Sequence, residues 1–130
     1  MKTATRTSDF QEDAQLVIDV LSEKEQVQLD YSADSVSWLD NYIDEHRAEL
    51  NDGDKLLLQE KFGAFLGESI LRNFGGRWVR SGDDHWMIAF GETEKASPFE
   101  LIAQHLDHHT ALSHEFRHIP DQIGRKAAQN

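Results

Sequence analysis

Phe62-Gly63-Ala64-Phe65-Leu66-Gly67-Glu68-Ser69-Ile70-Leu71-Arg72-Asn73-Phe74-Gly75-Gly76-Arg77-Trp78 reads as a helix, the glycines that stop it and the start of a strand. Phe62, Phe65, Leu66, Ser69, Ile70 and Phe74 recur at three- and four-residue spacing, which puts them on one buried face. Gly63 and Gly67 lie one turn apart, where each costs about 1 kcal/mol against Ala. Such a cost implies that a crossing strand or helix approaches the backbone there. Gly75-Gly76 supplies the left-handed residue that ends a helix without steric penalty. Glu68 and Arg72 stand four apart with the acid first, the favourable order for an ion pair. The same carboxylate, set between Gly67 and Ser69, could alternatively serve as a catalytic acid.

N-terminal to this stretch the pattern is helical. Residues 1–8 read as a disordered N-terminus. From Asp9 onward Phe10, Ala14, Val17, Ile18 and Leu21 form an apolar stripe, with Asp9, Glu12 and Asp13 set for the N-terminal dipole. Gln26-Val27-Gln28-Leu29-Asp30 alternates and reads as a short strand. Ser32 caps a helix that runs to about Leu50 with Val36, Leu39 and Ile43 inward. Asn51-Asp52-Gly53-Asp54 breaks it and caps the next helix, so the two should pack as an antiparallel pair.

C-terminal to the stretch the period changes. Arg77-Trp78-Val79-Arg80, the turn Ser81-Gly82-Asp83-Asp84 and His85-Trp86-Met87-Ile88-Ala89-Phe90 read as a β-hairpin, with Trp86, Ile88 and Phe90 on the face toward the helices. Ser97-Pro98-Phe99-Glu100 combines a capping box with proline at the first helical position. A last helix starts near Ser113 with Leu112, Phe116, Ile119 and Ile123 inward, limited or restarted at Pro120. The expectation is one α+β domain over residues 9–124, helix-dominated, with about five helices and a small antiparallel sheet, followed by a flexible end over 125–130. Its strands would be the Trp78 and Phe90 hairpin and the Val27 segment.

Gly67-Glu68, Gly75-Gly76-Arg77-Trp78 and Ser97-Pro98-Phe99-Glu100 together resemble a small bacterial family of α+β domains of unknown function. That family has a Gly-Glu helix, then Gly-Gly-x-Trp, a strand pair and a Pro-initiated helix. The resemblance spans roughly Val27 to Ile123 and implies a fold; it brings no activity, cofactor or catalytic residue.

The 130 residues carry 13 Lys/Arg against 24 Asp/Glu, a net charge of −11. Residues 1–70 hold 6 basic and 16 acidic side chains, and residues 71–130 hold 7 and 8. A field this negative repels nucleic acid and anionic membrane, and steers a basic protein partner toward the first half. It also serves solubility alone. The absence of cysteine fits a reducing, cytoplasmic setting, and no secretory signal or bilayer-spanning run is evident.

Two constellations carry chemistry. His114-Glu115-Phe116-Arg117-His118 fits the H-E-x-x-H pattern, in which two imidazoles one turn apart hold zinc and the glutamate activates water. Pro120 follows closely, and beyond His118 there is no histidine and one acid, Asp121. His105 and His109 repeat the spacing, so His105, His109, His114 and His118 could converge on one tetrahedral site if the last two helices face each other. A solvated, histidine-rich helix end is the plainer reading. The second constellation is Trp38 and Tyr42, one turn apart and flanked by Asp40, Asp44, Glu45 and Glu49. Rings would anchor and carboxylates would steer a basic partner, although the rings could simply widen the core stripe.

These features point to a non-catalytic, acidic protein-binding module, with immunity or antitoxin proteins as the type expected, working without a cofactor. The alternative is a zinc-binding protein or metal-dependent hydrolase built on His114, Glu115 and His118.

Overall fold

The computed structural model describes the backbone of residues 6–82, 85–108 and 112–129, and side chains within 9–82, 85–107 and 112–121. The helices are α1 (Arg6–Glu25), α2 (Ala33–His46), α3 (Asp52–Phe74), α4 (Pro98–His108) and α5 (Leu112–Gln129), with a 3-10 turn at Arg47–Glu49. Strands β1 (Arg77–Arg80), β2 (Trp86–Ala89) and β3 (Lys95–Ala96) form an antiparallel sheet in the order β1-β2-β3. The fold is the helix-dominated α+β domain that the sequence implies.

The centre of the fold is α3. Phe62 to Ile70 are all buried, so this part of the helix is covered on every side. Its long flanks pack against α1 and α4, whereas α2 touches it sparsely and packs on α5 instead. This corrects the expected α2–α3 hairpin. The 3-10 turn followed by Leu50 in extended conformation (φ −91°, ψ 130°) carries the chain away from α2 before α3 begins. A helix buried all round also needs more partners than one neighbour supplies.

Encirclement explains the two helical glycines. A Cβ on Gly67 would lie 2.2 Å from the Trp78 ring, and one on Gly63 would lie 2.2 Å from the Phe99 ring. What approaches the helix is therefore aromatic side chain, from β1 and α4, rather than a crossing backbone. Glu68 completes the seat: it is buried, accepts the Trp78 indole N–H at 3.0 Å and lies 3.5 Å from the Arg72 guanidinium. Its carboxylate is thereby committed to holding the hairpin on the helix.

The chain reversals follow local chemistry. Asn51 and Asp54 form a reciprocal capping box at the start of α3. Gly75 (φ 82°) and Gly76 (φ 101°) turn the chain into β1, and a Cβ on Gly76 would meet the Ala89 carbonyl at 2.8 Å. At the end of α1 the left-handed position is taken by Gln26 (φ 58°), and Val27 N–H donates to the Ser22 carbonyl at 3.1 Å.

Three expectations are corrected. The Val27 segment is not a strand: Leu29 N–H donates to Ser22 Oγ and Asp30 N–H to Ser35 Oγ, so side chains take the bonds a sheet neighbour would have taken. The third strand is Lys95–Ala96, paired to β2 through Ile88↔Ala96 and Ala89↔Lys95. The last helix is neither limited nor restarted at Pro120: α5 runs through it, over Leu112–Gln129. Among the described residues no helix is long and apolar enough to cross a membrane.

Candidate functional site

The outward face of α2 is built at helical i, i+4 spacing. Ser32 Oγ accepts the N–H of Ser35 and starts the helix, and Val36, Leu39 and Ile43 turn inward. This register leaves Trp38, Tyr42 and His46 half-buried along one edge. Trp38 and Tyr42 stack at 5.1 Å and 17°, and Tyr42 meets His46 at 4.3 Å. His46 Nδ1 lies 2.8 Å from the Tyr42 carbonyl, which can only accept, so the ring proton sits on that nitrogen. Tyr42 also meets Phe62 edge-on, which fixes this aromatic column to the core. Asp44, Glu45 and Glu49 are exposed, and Asp44 is directed to Arg47 and His105 at the α4 junction.

Asp40 does not belong to that surface. Its side chain is withdrawn into the protein, where Oδ1 accepts the N–H of Leu112 and Oδ2 that of Ser113, both at 2.7 Å. A carboxylate at these two donors complements the positive end of α5. Sequence spacing along α2 gave no hint of this role, because the partner is 72 positions away.

The same junction absorbs His105. It is 2% exposed, and its Nε2 lies 3.2 Å from the Asp40 carbonyl and 3.5 Å from a carboxylate oxygen of both Asp40 and Asp44. Arg47 closes the other side by donating to the carbonyls of His105 (2.6 Å) and Leu106 (3.1 Å) near the end of α4, and by pairing with Asp44 at 2.9 Å. His114 and His118 stand elsewhere, exposed on α5 with rings 4.2 Å apart and His118 Nδ1 bonded to the His114 carbonyl. Glu115 lines a separate small cavity with Lys95, Glu100 and Gln104. The structure therefore does not bring His105 together with His114 and His118, and His109 lies outside the described residues. Among the described residues no three His, Asp or Glu side chains are grouped to hold a metal.

The aromatic column leads into a groove of about 490 Å³ between α1, the end of α2 and α3. Val17, Leu21, Ile43 and Phe62 belong to both the groove and the core, and Leu16, Val20 and Leu57 also line it. Those last three are 49%, 49% and 54% exposed. Sequence reading missed this feature, yet a signal was present. Leu56-Leu57-Leu58 cannot all face one side of a helix, and Leu16 and Val20 lie off the buried stripe of α1 at their own i, i+4 spacing. No family model, curated protein or solved structure matches this chain.

Proposed function

We propose that this chain is a non-catalytic, acidic protein-binding module that covers a basic protein partner through the outer face of α2, in the manner of an immunity protein or antitoxin. The observation that carries the reading is the Trp38–Tyr42 stack, braced on Phe62, in a stretch whose Asp44, Glu45 and Glu49 are exposed. Rigid aromatic area with a rim of one charge is the composition from which interface anchors are made. Glu68, Asp40 and His105, the buried polar side chains with the chemistry for acid–base work, each already hold a helix or strand in place. That employment favours a binding role over a catalytic one.

The test is affinity capture on the immobilised chain at low salt, with binding of the purified partner then measured across a salt series. The reading expects a basic partner, a Kd that rises at least tenfold between about 50 and 500 mM salt, and indifference to chelator. Asp44→Asn, Glu45→Gln and Glu49→Gln combined should weaken binding tenfold or more. A partner held without regard to salt or to these three carboxylates would sink it.

A further inference from the structure

A cavity of about 380 Å³ lies where α1, α3, α4 and the start of β2 meet. Its aromatic wall comes from three elements: Phe10 of α1, Trp86 of β2 and Phe99 of α4. Phe10 is 2% exposed and joins the other two, its ring centroid 5.6 Å from Trp86 in an edge-on contact and 5.3 Å from Phe99. Contacts this close hold the rings in place before any ligand arrives, as in a preformed site. The indole N–H of Trp86 is itself buried, so the part of that ring open to a ligand is carbon. Such a wall offers dispersion and the negative faces of π-systems rather than hydrogen bonds.

Charge selects the ligand. Glu60 of α3 and Glu100 of α4 stand in the lining, and among the described residues no lysine or arginine joins them there. Glu60 makes no ion pair among the described residues, and Glu100 meets His85, whose Nε2 is 4.0 Å away. Arg80, opposite Trp86 in the β1–β2 register, is not part of the lining. The groove between α1 and α3 differs: there Lys24 and Lys61 balance Glu49 and Asp54, and neither sign is favoured. In the aromatic cavity an anion is repelled, and a neutral apolar ligand strips water from two carboxylates without pairing either. A metal ion would call on oxygen ligands and leave the rings unused. An organic ammonium uses both, its carbon groups lying on the rings and its charge matched by the carboxylates and the π faces. We propose that this cavity binds an organic ammonium ion, with Phe10, Trp86 and Phe99 as its wall and Glu60 and Glu100 as its counter-charges. The site is separate from the outer face of α2 and does not rest on the binding-module reading.

The probe is choline, set against dimethylbutanol, its uncharged carbon isostere. Binding to the full chain is followed by heteronuclear NMR of the three indole N–H signals, with that of Trp86 assigned through Trp86→Phe. Choline should shift the Trp86 signal saturably, leave that of Trp38 in place and bind at least tenfold more tightly than the isostere. Glu60→Gln combined with Glu100→Gln should weaken choline tenfold or more; both positions are exposed, so the fold should survive. Asp19→Asn with Glu23→Gln makes the same charge change outside the lining and should leave choline binding as it is. Trp86→Leu should abolish binding, and the two glutamates keep the test decisive should that variant unfold. A peptide bearing one trimethyllysine separates the sources of the ammonium. Tighter binding of the peptide would support the site and assign the group to a protein side chain; choline binding as tightly or better would support it and assign a free small molecule. Equal binding of choline and its isostere, choline binding that survives loss of both carboxylates, or no saturable shift of the Trp86 signal would each overturn the proposal.

Discussion

Asp40 Oδ1 accepts the backbone N–H of Leu112 at 2.7 Å, and through it α2 holds the first turn of α5. The second oxygen takes Ser113 N–H at the same distance, so one buried carboxylate satisfies two donors that the helix itself leaves open. Asp40→Ala strands both. Hydrogen bonds to a charged group contribute about 1.5–3 kcal/mol each, so the variant should lose about 3 kcal/mol or more in urea unfolding. Asp40→Asn, with one oxygen left, should lose less. Amide exchange at Leu112 and Ser113 should accelerate in both variants, and unchanged protection there would refute the capping role.

Gly67 and Trp78 should behave as one unit. Alanine in place of glycine gains about 1 kcal/mol of helix propensity, but the new Cβ falls 2.2 Å from the indole. Overpacking of this kind costs about 1–3 kcal/mol and displaces the ring from Glu68. Gly67→Ala is therefore expected to destabilise the natural chain and to be neutral or stabilising in a Trp78→Ala background. A double-mutant cycle by chemical denaturation reads the change of sign, and simple additivity would rule out the seat.

Two titrations should appear in the pH dependence of stability. Burial raises the Tyr31 hydroxyl above its ordinary 10.0, an effect partly countered by Arg72, whose guanidinium lies 4.1 Å from the ring centroid. Its stabilising contribution is present below pH 10 and is lost as pH rises through the raised folded value. Tyr31→Phe should remove that alkaline loss. Because the hydroxyl is buried without a partner, the variant should also equal or exceed the natural chain at neutral pH, by up to about 1 kcal/mol. Asp30 acts in the opposite sense: hydrogen bonds from Ser32 first and Ser35 next lower its pKa below 3.8. Its contribution is present above 3.8 and lost as pH falls through the lowered value. Urea midpoints at alkaline and acid pH for the natural chain, Tyr31→Phe and Ser35→Ala check both. An alkaline loss that persists in Tyr31→Phe would assign it to another group.

Zinc should bind the His114–His118 pair weakly and leave the unfolding temperature unchanged, because His105 is turned into the α2 junction and does not join them. Calorimetric titration of the natural chain and of His114→Ala, His118→Ala measures this directly. Stoichiometric zinc that survives dialysis and disappears in the double variant would establish a metal centre and reopen hydrolytic chemistry.

Much of the architecture was legible because it rests on neighbours in sequence. The stripe in α3, the Asn51 cap, the Gly75-Gly76 stop, the hairpin and the proline start of α4 are each set by residues within a few positions of one another. The Val27 segment misled for the same reason. Its alternation suits a strand, but a strand also needs a neighbour, and Ser22 and Ser35 supplied its hydrogen bonds first. Of the candidate surface residues, Trp38 and Tyr42 are half-buried and Asp44, Glu45 and Glu49 are exposed, whereas Asp40 turns in. Both Asp40 and Asp44 sit among acids at helical spacing, and only the arrival of α5 separates their roles.

The amino-acid order alone determined the caps and stops that frame α2, α3 and α4, the hairpin that follows α3, the acidic bias of the first half, and the close approach of another element at Gly63 and Gly67. Tertiary packing decided what covers them, which acid is buried, which histidine is removed from the others, and that Leu16, Val20 and Leu57 share a groove. The physical reason is range. Caps, turns and periodicity act over one or two turns of chain, while burial and long-range hydrogen bonds depend on which helices meet. A helix buried all round from Phe62 to Ile70, as α3 is, leaves that choice open until its neighbours have packed.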